Sequence, residues 1–148
     1  MRNKAIDTNM SQWDGSVDEQ NTAYLETLIA ASGWPTISAV GSEASQAAWL
    51  LVQHADHYPD FQINCLELMK ALPSSEVKPS NIAYLEDRIR VARGEPQLYG
   101  TQFYKEGDHF EPRPIEDEAK LDKRRETMGL ETFEAYKQRM IDTYGHLS

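Results

Sequence analysis

The sequence predicts a mainly α protein: a single compact domain of about six helices with a short β-hairpin near 97–111. Three observations carry this. Apolar residues recur at three- and four-residue spacing in separate stretches between residues 17 and 144. Those stretches are punctuated by Gly33, Gly41, Pro59, Pro73, Pro79, Gly94 and Gly129, residues that start and stop helices. The alternation expected of strands occurs only on either side of Lys105-Glu106-Gly107-Asp108.

Residues 1–15 carry little pattern beyond Met10 and Trp13 and read as a loosely ordered N-terminal arm, leaving 16–148 as one helical domain without a linker. Ser16-Val17-Asp18-Glu19 has the form of a capping box and opens a helix over 17–32, with Ala23, Leu25, Leu28, Ile29 and Ala30 as its apolar side. Gly33 ends it, and Trp34-Pro35 fixes the exit because residues before proline avoid helical geometry. After a connector over 36–41, Ser42 caps a central helix over 43–56. Residues 47–52 of that helix are all apolar, so it should be wrapped by protein on most sides. Pro59 opens a helix over 59–72 with Phe61, Cys65, Leu68, Met69 and Leu72 inward. After the turn at Pro73, a helix over 80–93 buries Ile82, Leu85, Ile89 and Ala92. The stretch 94–115 breaks the helical pattern, and Pro112 and Pro114 keep its end extended. A nearly all-charged helix over 116–128 and a helix over 130–144, burying Leu130, Phe133, Tyr136, Met140 and Ile141, complete the chain.

Composition narrows the functions. With 15 Lys+Arg against 24 Asp+Glu, the formal charge of −9 repels nucleic acid and anionic lipid, so neither is an expected partner. No apolar run is long enough to span a bilayer, and no hydrophobic region follows the basic N-terminus as a secretory signal requires. The single cysteine, Cys65, cannot form an internal disulfide, and a cytoplasmic setting is the default. A small polar molecule or a protein partner remains.

The central helix ends in Gln53, His54 and Asp56, hydrogen-bonding side chains that need partners at the end of a core helix. His54 is the candidate acid–base residue, because histidine titrates near neutrality. Its alternative role is a structural tie between helices. Asp56 cannot orient His54 within a regular helix, since residues two apart point to different sides. His54, Asp56, His57 and Asp60 hold metal-ligand types within seven residues, but Pro59 forces the helix to end among them, so no metal or other cofactor is expected. Arg88 could clamp a carboxylate or phosphate, or pair within the scaffold. In Tyr99-Gly100-Thr101-Gln102, the glycine permits close backbone approach, while Tyr99 and Gln102 offer neutral polar groups to a ligand or to buried helix ends. Arg124 and Arg125 read as a solvated face, and Cys65 as a buried, inert thiol.

Gly33-Trp34-Pro35, Gln53-His54-Ala55-Asp56, Phe61-Gln62, Asp87-Arg88 and Tyr99-Gly100-Thr101-Gln102 occur in one order. Together they resemble a family of small bacterial domains of unknown function with the pattern GWP, QHAD, FQ, DR and YGTQ. The resemblance spans about residues 16–144, with Asp18, Asn21, Arg125, Gly129, Leu130 and Tyr136 also in keeping, and it implies kinship without an activity.

Two functions follow from the residues. One is an intracellular enzyme on a small polar or anionic substrate, hydrolysis among its chemistries, with His54 as general acid–base, Gln53 and Gln102 as orienting amides, Asp56 and Tyr99 at the substrate, and Arg88 as anion clamp. The other is a non-catalytic acidic interaction module, masking or immunity-like, in which QHAD and YGTQ form a structural polar lock. Either version expects the end of the central helix and the 97–102 loop to share one polar site.

Overall fold

The computed structural model describes residues 15–145, with side chains from Glu19 onward; residues 1–14 of the proposed arm, the side chain of the proposed Ser16 cap and His146 lie outside the described residues. Among the described residues the protein is mainly helical with one two-stranded antiparallel sheet, as the sequence predicts. Its backbone contacts divide into two units that part between Val77 and Lys78, and each is taken by itself. No described helix is long and apolar enough to cross a membrane.

In the first unit, α1 (Gly15–Ser32) stops at Gly33, whose φ of +79° is a left-handed conformation that glycine adopts without strain. Its N–H donates to the Ile29 carbonyl at 2.8 Å, closing the last turn. The buried stripe is narrower than the apolar pattern suggests: Thr22, Leu25 and Ile29 are inside, while Ala23, Leu28 and Ala30 are exposed. The connector holds an unforeseen single turn, α2 (Ile37–Val40), capped by the Thr36 hydroxyl accepting from the Ala39 amide. Ser38 secures it by donating its N–H and hydroxyl to the Glu76 carboxylate. Those two donations hold the Glu76 carboxyl below its ordinary pKa.

The next helix, α3 (Ser42–Gln53), ends three residues earlier than expected, and His54 is its C-cap at φ −92° and ψ 2°. It is also less enclosed than its apolar run implies. Ser45, Ala48, Val52 and Gln53 form the buried face, whereas Leu50 is 40% exposed and Leu51 half-buried. An apolar run does not record which side meets the neighbouring helices. The dense packing belongs to α4 (Pro59–Lys70), which buries Phe61, Gln62, Cys65, Leu66 and Met69. Burial, with the charge of Glu26 adding, pushes the Cys65 thiol up to about 12, so it stays protonated at neutral pH. Met69 is fully buried. Met69→Ala is expected to cost about 2–5 kcal/mol through the cavity it leaves, and Leu51→Ala clearly less; denaturant titration yielding equal losses would contradict this assignment of the core.

In the second unit, α5 (Pro79–Ala92) buries Asn81, Ile82, Ala83, Leu85, Asp87 and Ile89. The hairpin is present but shorter than its alternating pattern. β1 (Phe103–Glu106) pairs with β2 (His109–Pro112), with Phe103 opposite Pro112 and Glu106 opposite His109. The expected helix over 116–128 is instead a 3-10 turn, Glu118–Lys120, followed by α6 (Leu121–Thr127). Asp117, at φ 44°, precedes the turn in a left-handed conformation that non-glycine residues rarely adopt. The last helix, α7 (Phe133–Tyr144), starts where the Thr132 hydroxyl accepts from the Ala135 amide. Phe103 joins hairpin to helix, its ring centroid 5.2 Å from that of Phe110, 6.3 Å from Phe133 and 5.8 Å from Tyr136.

Candidate functional site

The densest polar constellation is centred on Asp87, in the middle of α5 and fully buried. Its Oδ1 accepts from the amides of Leu98 at 2.8 Å and Tyr99 at 3.0 Å. Its Oδ2 accepts from the amide of Thr101 at 3.0 Å and the Thr101 hydroxyl at 2.8 Å. Gly100, at φ +70°, turns the chain so that amides on both sides of it reach one carboxylate. A Cβ there would lie 2.8 Å from the Phe133 ring.

Other side chains take the loop's remaining backbone groups. The buried Gln97 amide donates to the carbonyls of Gln102 and Arg113, both at 2.9 Å, and accepts from the Gln102 N–H at 2.8 Å. Arg124 donates to the Leu98 carbonyl at 2.7 Å and also to the carbonyls of Glu116 and Asp117. Arg125 donates to the Tyr99 carbonyl at 2.5 Å and the Glu131 carbonyl at 2.7 Å. The Tyr136 hydroxyl donates to the Thr101 carbonyl at 3.1 Å. Side chains thus perform the service that a strand ladder gives elsewhere: the N–H and C=O of Leu98, Tyr99, Thr101 and Gln102 all have side-chain partners within this unit.

Burial governs the electrostatics. It raises the Asp87 pKa above its ordinary value despite the four donors that favour the carboxylate. It lowers that of Arg125, whose fully buried guanidinium lies 4.8 Å from the Tyr136 ring centroid and 5.8 Å from that of Phe133. Burial, followed by the neighbouring Tyr84, pushes the Tyr136 hydroxyl up. Burial and then the charges of Glu86 and Asp87 do the same at Tyr99, against the pull of Arg124 and Arg90.

The second constellation ends α3 in the first unit. The buried Gln62 amide donates to the Val52 carbonyl at 3.0 Å and to Asp56 Oδ1 at 3.2 Å, tying α4 to the end of α3. His54 is half-buried and Asp56 exposed. Gln53 is buried, and its Oε1 has no donor within hydrogen-bond distance. Among the described residues no three His, Cys, Asp or Glu side chains gather closely enough to hold a metal, so His54, Asp56, His57 and Asp60 share a sequence neighbourhood without forming such a site.

Gln53, His54 and Asp56 therefore stand in the first unit, and Arg88, Tyr99 and Gln102 in the second. Within the second, Tyr99 donates its N–H to Asp87 and Gln102 donates its N–H to the Gln97 side chain, while Arg88 is half-buried one position further along α5. The Gln102 side chain donates to the Thr101 hydroxyl at 3.0 Å. Arg125 corrects the sequence reading: the expected solvated cation is fully enclosed, its Nε and Nη1 donating to the carbonyls of Glu131 and Tyr99 and two aromatic rings lying beside it, while its Nη2 has no acceptor within hydrogen-bond distance. Asp87, Gln97 and Tyr136 likewise went unrecognised as members of a site. The available signal was a charge at a core position, since Arg125 lies one helical turn after Leu121, on the face that α6 buries.

Residues from all five quoted motifs have partners in these internal bonds: Pro35 with Ser45, Asp56 with Gln62, and Asp87 with Tyr99. The family model described as a family of unknown function, DUF6624, matches residues 3–147. The chain belongs to that family. No curated protein and no solved structure matches it. Membership in DUF6624 agrees with the resemblance read from the motifs and brings no reaction with it.

Proposed function

We propose that this DUF6624 chain is a non-catalytic, acidic protein-interaction module. In it Asp87, Gln97, Arg125 and the Tyr99–Gln102 loop are an internal polar lock and not a substrate site. One observation carries the reading: the loop's backbone donors and acceptors bond to side chains of the same unit, Asp87 alone accepting four donations. A loop built to grip a substrate presents such groups to a cavity. The formal charge of −9 favours a basic partner by long-range attraction. The setting we propose is the cytoplasm of a bacterial cell.

A second reading, a small-molecule enzyme using His54, is favoured by the buried Gln53 Oε1, an acceptor without a donor beside that histidine. Native mass spectrometry of the purified protein, with small-molecule extraction, separates the two. The module should carry no stoichiometric metabolite. Recovery of one equivalent, lost in His54→Ala without a change in melting temperature, would overturn the module in favour of the enzyme.

A further inference from the structure

The first unit carries a cleft of about 780 Å³ along α1 and α4, lined by residues of no quoted motif other than Gly33 and Phe61. On α1 it is bordered by Ala23, Glu26, Thr27 and Ala30, a stripe at helical spacing. On α4 the matching stripe is Asp60, Phe61, Asn64 and Leu68. The cleft is therefore a trough running along two helices. From Ala23 to Gly33 it extends about 15 Å at the helical rise, which is close to three turns of an occupant. The buried edges of Ile29 and Phe61 make its floor apolar. The small exposed Ala23 and Ala30 leave one wall low enough for another backbone to approach.

Charge selects the occupant. Among the described residues, the two ionisable groups lining the trough, Glu26 and Asp60, are carboxylates, and both side chains are exposed. A phosphate, a carboxylate ligand or an acidic peptide would be repelled. Helices form both walls and have no free backbone edge, so an added strand would find nothing to pair with. We infer that this trough docks a short cationic amphipathic helix of a partner protein, its apolar stripe on Ile29, Phe61 and Leu68 and its Lys or Arg side chains against Glu26 and Asp60. The inference rests on the module reading and names the chemistry of its partner.

The probe is a fluorescent helical peptide of about four turns, with Leu on one face and Lys flanking it, titrated by anisotropy into the full chain. Matched peptides carry Glu for Lys, or the same residues scrambled so that no apolar face forms. Amide NMR shifts locate the bound peptide. The Lys peptide should bind and shift Ala23, Thr27, Asn64 and Leu68, while the Glu and scrambled peptides should not. Glu26→Lys and Asp60→Lys should each weaken binding about tenfold, and Glu43→Lys, on α3, should leave it nearly unchanged. All three positions are exposed, and far-UV circular dichroism confirms that each variant folds. Any of three results would overturn the inference: no binding, equal weakening by Glu43→Lys, or equal binding of the scrambled peptide. Self-association of the full chain, abolished by Ala30→Arg and competing with the peptide, would assign the trough to a second copy and overturn it too. A metabolite in the preceding experiment refutes the module reading, whereas failed charge reversals without one refute the trough alone.

Discussion

Asp87→Ala is expected to destabilise the protein by about 3–5 kcal/mol, among the largest single-residue effects in the chain. The change strands the amides of Leu98, Tyr99 and Thr101, each of which now donates to the Asp87 carboxylate. A buried donor left without an acceptor costs about 1–3 kcal/mol, and water can reach some of the three once the side chain is gone. Asp87→Asn should cost less, because one oxygen remains, although its NH2 group would face an N–H. pH adds a signature. Burial raises the folded-state pKa of Asp87 above the ordinary 3.8, so the folded chain holds this proton more tightly than the unfolded chain. The stability contributed by that proton is complete below the ordinary value and is lost as pH rises through the raised one. The stability gap between the unchanged protein and Asp87→Asn should therefore narrow with rising pH across that window. A gap that widens would mean that the four donors outweigh burial.

Arg125→Ala should cost about 3–5 kcal/mol for a related reason. It removes the donor to the carbonyls of Tyr99 and Glu131, and it opens a hole beside the Tyr136 and Phe133 rings. Arg125→Lys should recover only part of this, since one ammonium lacks the planar fork that reaches two carbonyls and stacks on a ring. Lys123→Ala, exposed on the same helix, should fall within about 0.5 kcal/mol of the unchanged protein. Urea titrations that place Arg125→Ala beside Lys123→Ala would show that the enclosed guanidinium holds nothing together.

These two residues show where sequence reasoning runs out. The helix ends and the turn marked by glycine or proline were legible because their signals are local: Gly33 accepts a positive φ, Pro59 and Pro79 suit a first turn, and Gly107-Asp108 suits a hairpin. The one-turn helix Ile37–Val40 was not, since four residues are too few to display a period. The central helix misled in the opposite way. Its run of apolar residues hides which flank is covered, and only neighbouring helices decide that Val52 is enclosed while Leu50 is 40% exposed. The polar lock was half legible. The Tyr99–Gln102 loop stood out by composition, and the rule that buried polar groups find partners left open whether a ligand or the protein itself supplies them. Its anchors did not stand out, because Asp87 lies beside the more conspicuous Arg88 and Arg125 sits in a helix whose charge reads as solvated. Burial of a single charge is decided by contacts distant in sequence, here 11 to 14 residues from Asp87 and 26 from Arg125 to Tyr99.

Native-state hydrogen exchange at the amides of Leu98, Tyr99 and Thr101 tests the lock most directly. If Asp87 holds the loop, these amides should exchange only through large-scale opening, with protection close to that of the α5 core amides at Leu85 and Ile89, and Asp87→Asn should lower their protection ahead of the rest of the unit. Exchange at the rate of exposed loop amides in the unchanged protein, or protection untouched by Asp87→Asn, would contradict the lock.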